Sequence, residues 1–308
     1  MKKDLSSTDQ DKFDKAFAKF IDSILDDPHT SLIRRSVYFG KEVGSHTHSG
    51  GSGSRNTTYM NDYYRFYMAK YNSRTAIDDN YKISGNTGII SFNNFVNYAP
   101  SEFNPYEDTW TTSSYSEDTS LLFHDAFKAF EKNGKVENVV IDISLNTGGS
   151  SGTFAQLIQF MWEDPHIITN NLFGNLVEDK VIHADTNFDG VFDDKDCYKG
   201  KYNFFVLTSP VSFSCGSLFP AYCKQTKCAT LIGQKTGGGS CVVYQTALPN
   251  GTIFQMSGMQ ELCYDPNGGT DYIDDDSGVE VDYAFGVDDI SDYYTPARIS
   301  TFVNSLNN

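Results

Sequence analysis

The chain is poor in basic residues and has no long apolar run. Its 308 residues include 24 Lys and Arg against 40 Asp and Glu, which gives a formal net charge of −16 at pH 7. Nucleic acids and anionic membrane surfaces are bound through basic patches, so we expect neither as a partner. A bilayer-spanning helix needs about 18 or more consecutive apolar residues. The sequence has no such run, so no segment of it is expected to span a membrane.

Two further signals are missing. The six cysteines include no C-x-x-C pair, so the usual spacing of a zinc site is absent. The start of the chain, MKKDLSSTDQ, has two lysines but no apolar stretch behind them, and is not expected to be a signal peptide. We expect no organic cofactor. Aromatic residues make up 14% of the chain, too many for a disordered protein.

The order of predicted elements indicates one α/β domain over residues 1–308. Residues 1–35 form a helical region, because apolar residues recur at helical spacing from Asp11 to Leu25. Residues 36–80 are a flexible and Tyr-rich insertion, and residues 81–308 are the α/β core. Strands alternate with helices in this core, which predicts right-handed crossovers and a largely parallel sheet.

Two segments of the core combine a buried strand, a turn and the start of a helix. They are VVIDISLNTGGSSG (Val139–Gly152) and FFVLTSPVSFSCGSLFPAYC (Phe204–Cys223). The first turn supplies glycines with exposed amides, and the second supplies serines. Acyl-transfer chemistry uses amides to stabilise an oxyanion and a serine to attack a carbonyl. The pair of segments therefore indicates a candidate active site.

The run VVIDISLNTGG resembles the signature of the tail-specific (C-terminal processing) serine peptidases, whose relatives include the tricorn core protease and a retinoid-binding protein. Four more segments are similar to family segments in order and spacing. They are DDPHTSL (Asp26–Leu32), SFSCGS, LIGQKTGGGS and SGVEVDY (Ser277–Tyr283). The resemblance covers about Asp11 to Tyr283 and implies a crotonase/ClpP-like core. No PDZ-like module is seen, so selectivity for C-terminal tails does not follow.

The resemblance implies the roles of several residues. Ser214 matches the family nucleophile, and the amides of Cys215 and of Gly148 or Gly149 match the oxyanion hole. Ser212 and Ser217 are rival nucleophiles. The alternative for Ser214 is a helix N-cap, a common use of serine.

The family that this chain resembles contains two groups of enzymes, which use different residues as the general base. Tail-specific enzymes use a lysine at a position that is Gly239 here, and Lys235 lies four residues early. Tricorn-like enzymes use a histidine near the start of the core, which His29 matches; a neutral imidazole suits proton transfer near pH 7. Those enzymes have a serine before the histidine, where this chain has Pro28. Glu280 is the candidate for their late glutamate. His29 alternatively packs the turn after the first helix.

The segment DTNFDGVFDDKD, residues 185–196, has the spacing of a calcium-binding loop. The turn glycine is Gly190. The expected ligands are the side chains of Asp185, Asn187, Asp189, Asp193 and Asp196 and the carbonyl of Val191. We predict a structural Ca²⁺ here; the alternative is a solvated acidic turn.

These observations predict a bacterial-type serine peptidase that is extracellular or on the cell surface and acts on peptides or proteins. Two alternatives stay open. One is a catalytically inactive protein on the same scaffold that binds a peptide or an apolar ligand, for which the tyrosine-rich segment provides a candidate surface. The other is a cysteine hydrolase that uses Cys215. The sequence does not indicate the oligomeric state.

Overall fold

The structure is a computed structural model that describes residues 2–21, 23–24, 29–34, 57–73, 80–98, 102–104, 109–111, 114–163, 165–171, 173–263 and 276–306. The chain divides into two compact units. The first comprises Met1–Asn61 and Cys241–Glu261, and the second comprises Asp62–Ser240 and Leu262–Asn308. The single domain over residues 1–308 stays a prediction. Of the insertion predicted over residues 36–80, residues 36–56 and 74–79 lie outside the described residues.

The helices and strands are numbered along the chain. The α-helices are α1 (Gln10–Ile21), α2 (Thr57–Ser73), α3 (Thr119–Asn133), α4 (Ser151–Gln159), α5 (Cys215–Thr226) and α6 (Pro296–Leu306). The strands are β1 (Ser31–Arg34), β2 (Tyr81–Ser84), β3 (Thr87–Ser91), β4 (Glu102–Asn104), β5 (Thr109–Thr111), β6 (Asn138–Asp142), β7 (His166–Asn171), β8 (Leu176–Val181), β9 (Asn203–Thr208), β10 (Thr230–Gly233), β11 (Cys241–Ala247), β12 (Ile253–Cys263) and β13 (Tyr283–Ala284). Short 3-10 helices lie at Asp194–Asp196 and Ile290–Tyr294.

The second unit is built around a six-stranded sheet in the order β13-β10-β9-β6-β3-β2. Neighbouring strands are parallel from β13 to β3, and only the edge strand β2 runs antiparallel to β3. This confirms the predicted α/β class with a largely parallel sheet. The carboxyl ends of β6 and β9 are neighbours, because Asp142 pairs with Leu207. The turns that follow these two strands therefore lie at one edge of the sheet.

The core of this unit explains why β6 and β9 were predictable as buried strands. All five residues of β6 are buried, and so are the last five of β9. Such strands read as continuous apolar runs when both faces of a parallel sheet are covered. Helices α3, α4 and α5 supply most of the aromatic packing, including Phe127, Phe154 and Phe219. The rings of Phe95 and Phe219, for example, are 5.7 Å apart.

The helix ends follow the sequence signals. The side chain of Asp118 caps α3 by accepting from the amides of Ser120 and Leu121. Gly134 ends the helix with φ at 70°, and its N–H donates to Phe130 O. A left-handed residue at this place favours glycine. Helices α3, α4 and α5 confirm the predicted helices of the core.

Helix α2 is the largest departure from the sequence reading. The Tyr-rich stretch within residues 36–80 was predicted as part of an insertion, yet Thr57–Ser73 form a continuous helix of 17 residues. Phe66 is 1% exposed and packs edge to face against Tyr293, with ring centroids 5.1 Å apart. Because only one aromatic residue of this helix is deeply buried, the apolar residues show little helical spacing. The sequence therefore did not indicate a helix here.

The first unit contains α1 and strands β1 and β11 with most of β12. Strand β12 pairs antiparallel with both β1 and β11. Strands β11 and β12 form a hairpin whose turn contains Pro249 to Gly251. Phe17 of α1 packs against Phe254 with ring centroids 5.4 Å apart. Across the described residues, no helix has the length and apolar character needed to cross a membrane.

Candidate active site

Ser214 lies at the turn between strand β9 and helix α5. Its backbone has φ at 56° and ψ at −127°, a conformation that L-residues rarely adopt. Such a conformation costs on the order of 1–3 kcal/mol and persists when surrounding contacts hold it. Here the N–H of Ser214 donates to Gly238 O at 2.8 Å, and the carbonyl of Ser214 accepts from Leu218. A sharp, strained strand-to-helix turn is how many hydrolases present a nucleophilic serine.

The side chain of Ser214 is not used for helix capping. The residue stands at the N-cap position of α5, but its hydroxyl accepts no hydrogen bond from the backbone of the helix. The side chain is partly exposed. The structure therefore does not support the capping alternative for this serine.

The rival serines are buried and engaged in hydrogen bonds. Ser212 Oγ donates to Ile143 O at 2.8 Å and accepts from the amide of Ser209. Ser217 Oγ lies 2.6 Å from the hydroxyl of Thr236. Both serines are 0% exposed. Neither hydroxyl is positioned to meet a substrate, which favours Ser214.

The glycine turn after β6 packs directly against Ser214. Asn146 is buried and fixes this turn, because its Oδ1 accepts from Gly148 N at 2.8 Å and its carbonyl accepts from Phe213 N at 3.0 Å. Gly148 has φ at 106°, and a Cβ added there would lie 2.7 Å from Ser214 Cβ. Only glycine fits this close approach. The two predicted segments are thus brought together.

The backbone amides predicted to form the oxyanion hole differ in whether they already donate a hydrogen bond within the protein. Gly148 N–H donates to Asn146, whereas Gly149 N–H makes no hydrogen bond to any residue that the structure describes. Gly149 has φ at 136°, and a Cβ there would lie 2.3 Å from Phe95 O. Cys215 begins helix α5, where the positive end of the helix dipole favours developing negative charge. This geometry favours Gly149 over Gly148 as the partner of Cys215.

The thiol of Cys215 is directed toward the glycine turn. It is 2% exposed, and its Sγ donates to Gly149 O at 3.3 Å. A buried thiol that donates to a carbonyl is poorly suited to nucleophilic attack. The contact gives no support to the cysteine hydrolase alternative.

His29 belongs to the first unit and lies two residues before the start of strand β1. Its side chain is 6% exposed, and its Nδ1 lies 3.1 Å from Ser257 Oγ on β12. Its carbonyl accepts from Gln255 Nε2 at 3.2 Å. The imidazole is thus oriented by a hydroxyl group from a strand 228 residues further along the chain. Asp26, Asp27 and Pro28, which belong to the same predicted motif, lie outside the described residues.

The position that is lysine in tail-specific enzymes has no space for a side chain. Gly239 has φ at 90°, and a Cβ there would lie 2.4 Å from the ring of Phe213. Lys235 is 45% exposed and forms an ion pair with Glu280 at 3.1 Å. An exposed, ion-paired ammonium is a poor general base.

Glu280 was predicted as the late glutamate of the site. Its side chain is 71% exposed and its carboxylate is the partner of Lys235. These contacts do not support the predicted role. In the first unit, Ser257 is the hydroxyl that contacts the imidazole instead.

The predicted calcium loop forms a hydrogen-bonded turn. Asp185 accepts from the amides of Asp189 at 3.2 Å and Gly190 at 2.7 Å. Asp196 is 1% exposed and accepts from the amides of Thr186 at 2.7 Å and Asp193 at 3.0 Å. The carboxylates are therefore engaged by the backbone of the loop itself.

Two carboxyl groups of the predicted calcium loop lie close enough for one to affect the pKa of the other. Burial raises the pKa of the Asp185 carboxyl, and the nearby Asp196 carboxylate contributes in the same direction. Among the described residues, no group of three or more His, Cys, Asp or Glu is placed to hold a metal ion. The role of Gly190 as the turn residue is confirmed by its φ of 79°. Calcium binding by this loop stays a prediction.

An α/β fold with a serine at a strained strand-to-helix turn, beside a glycine turn, has the architecture of a serine hydrolase. The sequence profile of peptidase family S41 matches residues 86–285, more than half of the chain. The chain therefore belongs to peptidase family S41, and this confirms the resemblance drawn from its motifs. Membership in the histidine-using, tricorn-like branch stays a prediction.

Two solved structures share the fold. A candidate peptidase from Parabacteroides merdae is 17% identical, with a TM-score of 0.59 over 97% of this chain and 84% of that one. A lipoprotein from Streptococcus agalactiae is 10% identical, with a TM-score of 0.52 over 99% of this chain and 85% of that one. At such identities the likeness shows the fold alone. No curated protein sequence matches this chain.

Proposed function

We propose that this chain is a serine peptidase in which Ser214 is the nucleophile and His29 is the general base. Membership in family S41 supports a peptide or protein substrate. The observation that carries the proposal is the strained backbone of Ser214, whose side chain is free of any capping role beside the glycine turn. Strain of this kind clusters at functional sites.

The proposed reaction is acyl transfer to water. Ser214 Oγ attacks the peptide carbonyl while the imidazole of His29 takes its proton. The amides of Gly149 and Cys215 stabilise the resulting oxyanion. His29 then protonates the leaving amine, and water hydrolyses the acyl-enzyme with His29 again as the base.

The hydrogen bond of His29 sets which ring nitrogen acts. An Nδ1–H that donates to Ser257 Oγ leaves the basic lone pair of the neutral ring on Nε2. We infer that Ser257 is a positioning residue for His29; the tricorn-like relatives have a serine directly before their histidine, where this chain has Pro28. Ser257 acts through His29 and does not contact the reacting atoms.

We propose that this chain acts outside the cell or at its surface, as its sequence led us to expect. One structure that shares the fold, from Streptococcus agalactiae, is that of a lipoprotein. Fractionation of the producing cells, followed by immunodetection of the chain, tests this proposal.

Replacing Ser214 with alanine is expected to lower the hydrolysis of fluorescently labelled casein at least about a thousandfold, as loss of a nucleophile does in serine peptidases. The matched variant is Ser217→Ala, which removes a buried hydroxyl bonded to Thr236 and is expected to lower stability while retaining turnover per folded molecule. Equal hydrolysis by wild type and Ser214→Ala would exclude this nucleophile. A folded wild type that binds casein without cleaving it would favour the binding-protein alternative.

Replacing Ser257 with alanine is expected to lower kcat roughly tenfold with little change in KM, because the ring loses the bond that selects its tautomer. A role limited to packing would instead lower stability and leave kcat per folded molecule unchanged. Ser257→Thr keeps the hydroxyl and is expected to restore kcat. An unchanged kcat in a folded Ser257→Ala would rule out the positioning role.

A further inference from the structure

A cavity of about 490 Å³ lies in the second unit, beside the glycine turn. Helix α2 forms one wall through Tyr67, Lys70 and Tyr71, and the segment after β3 forms another through Asn93 and Asn94. The rings of Tyr67 and Tyr71 stack with centroids 6.4 Å apart and are themselves 46% and 57% exposed. The cavity therefore has an aromatic wall, a polar wall and one lysine between them.

The polar wall is bonded to the turn that holds Ser214. Thr147 N donates to Asn93 O at 3.1 Å, and Thr147 Oγ1 donates to Asn94 Oδ1 at 3.1 Å. The next residue is Gly148, against which Ser214 packs. The cavity and the candidate nucleophile are thus on neighbouring backbone segments.

Lys70 brings a positive charge to this cavity. Its Nζ donates to Ser91 Oγ at 2.9 Å and to Asn93 Oδ1 at 3.5 Å. Among the described residues, no carboxylate forms an ion pair with this ammonium within 4.0 Å, in a chain whose net charge is −16. An ammonium has three N–H donors, and these two hydrogen bonds use two of them. The ring centroid of Tyr294 lies 6.0 Å from Nζ.

A hydrogen-bond relay to a buried carboxylate fixes the orientation of the Lys70 side chain. Ser91 Oγ accepts from Lys70 and donates to Asp142 Oδ2 at 2.8 Å. Asp142 is 4% exposed at the end of strand β6 and also accepts from Ser144 N at 3.0 Å. A buried carboxylate needs hydrogen bonds and a compensating charge nearby. The relay through Ser91 therefore holds the ammonium at the wall of the cavity and limits its conformational freedom.

We propose that this cavity is a substrate subsite that binds a carboxylate on Lys70, an inference that rests on the proposed peptidase function. The carboxylate accepts a charge-assisted hydrogen bond from Nζ and further bonds from the amide group of Asn94 or its neighbours. The aliphatic part of the ligand lies against Tyr67 and Tyr71. An acidic side chain and the free carboxyl end of a peptide share this chemistry.

The first arm of the test measures cleavage. Wild type, Lys70→Met, Lys70→Arg and Lys70→Glu are incubated with random octapeptide pools, each fixed as Glu, Gln, Lys or Arg at one position. Wild type is expected to prefer Glu roughly tenfold at one position relative to the cut, the size of one charge-assisted bond. Lys70→Arg keeps this preference, Lys70→Met loses it, and Lys70→Glu prefers Lys or Arg. The matched control is Arg65→Met, which removes an exposed charge from the same helix outside the cavity.

The second arm measures binding without catalysis. The Ser214→Ala variant, with and without Lys70→Met, is titrated with fluorescein-labelled octapeptide pools that contain Glu or Gln, each with a free or an amidated carboxyl end. Fluorescence anisotropy gives the affinity ratio of each pair, which does not depend on turnover or on the fraction of folded protein. A preference for Glu identifies a side chain as the source of the carboxylate. A preference for the free end alone identifies the chain terminus.

The two arms separate the failure of this inference from the failure of the proposed function. A carboxylate preference in the binding arm that is lost with Lys70→Met supports the subsite, even if the wild type cleaves nothing. Equal affinity for all pools in both backgrounds, or a preference unchanged by Lys70→Met, overturns it. Cleavage by wild type with no carboxylate preference leaves the peptidase function intact and overturns the subsite.

Discussion

The variant His29→Ala is expected to lower kcat/KM for peptide hydrolysis by about three to four orders of magnitude, the contribution of a general base to serine activation. The ring is almost fully buried, and its Nδ1 lies 3.1 Å from Ser257 Oγ, which limits its rotation. Steady-state hydrolysis of labelled casein measures the loss, and added imidazole is expected to restore part of it. The control is His166→Ala, since His166 is an exposed histidine paired with Asp179.

The result of this comparison has two readings. A large loss in His29→Ala with full activity in His166→Ala supports the Ser–His mechanism. Full activity in a folded His29→Ala would show that another group accepts the proton of Ser214. The packing alternative for His29 would then be correct, and the variant would lose stability without losing turnover.

The variant Gly148→Ala is expected to lower kcat about a hundredfold or more, similar to the loss of an oxyanion-hole donor. The new methyl group would lie 2.7 Å from Ser214 Cβ and 3.0 Å from Phe213 O. Such contacts force the glycine turn away from the serine, and the amide of Gly149 moves with it. Since φ at this position is 106°, alanine also adds backbone strain.

A second glycine separates crowding from strain. Gly174 has φ at 74°, and a Cβ there would meet nothing within 4 Å. Gly174→Ala therefore adds strain without a contact to the site, and is expected to cost about 1 kcal/mol of stability with little loss of activity. Equal activity in Gly148→Ala and Gly174→Ala, both folded by circular dichroism, would show that the close approach to Ser214 is unimportant.

The sequence predicted the parts of the fold that depend on local patterns. Strands β6 and β9 are buried on both faces, so their apolar runs were unambiguous. The glycine turn and the serine cluster follow these strands directly, so the meeting of Ser214 with Gly148 followed from the parallel sheet. Helix α2 was missed because Phe66 is the one fully buried aromatic on it, and tyrosines occupy its exposed face.

The parts of the site that arise from long-range pairing were not predictable. Ser257 reaches His29 through the pairing of β1 with β12, and no short motif marks such a contact. Lys70 reaches Ser91 from a helix that the sequence did not indicate. Glu280 was chosen from its place in the chain order, which carries no information about the ion pair with Lys235. A motif predicts which side chains are candidates for catalysis. The residues that hydrogen-bond or ion-pair with those side chains come from distant parts of the chain, and their identity depends on how the strands and helices pair.

The most direct test of the central claim is labelling with a fluorophosphonate, followed by mass-spectrometric mapping of the modified peptide. The predicted result is a single adduct on Ser214 that is absent in Ser214→Ala and strongly reduced in His29→Ala. An adduct on Ser212, Ser217 or another residue would contradict the assignment of the nucleophile. No adduct on a folded wild type would contradict the peptidase mechanism and favour a catalytically inactive binding protein.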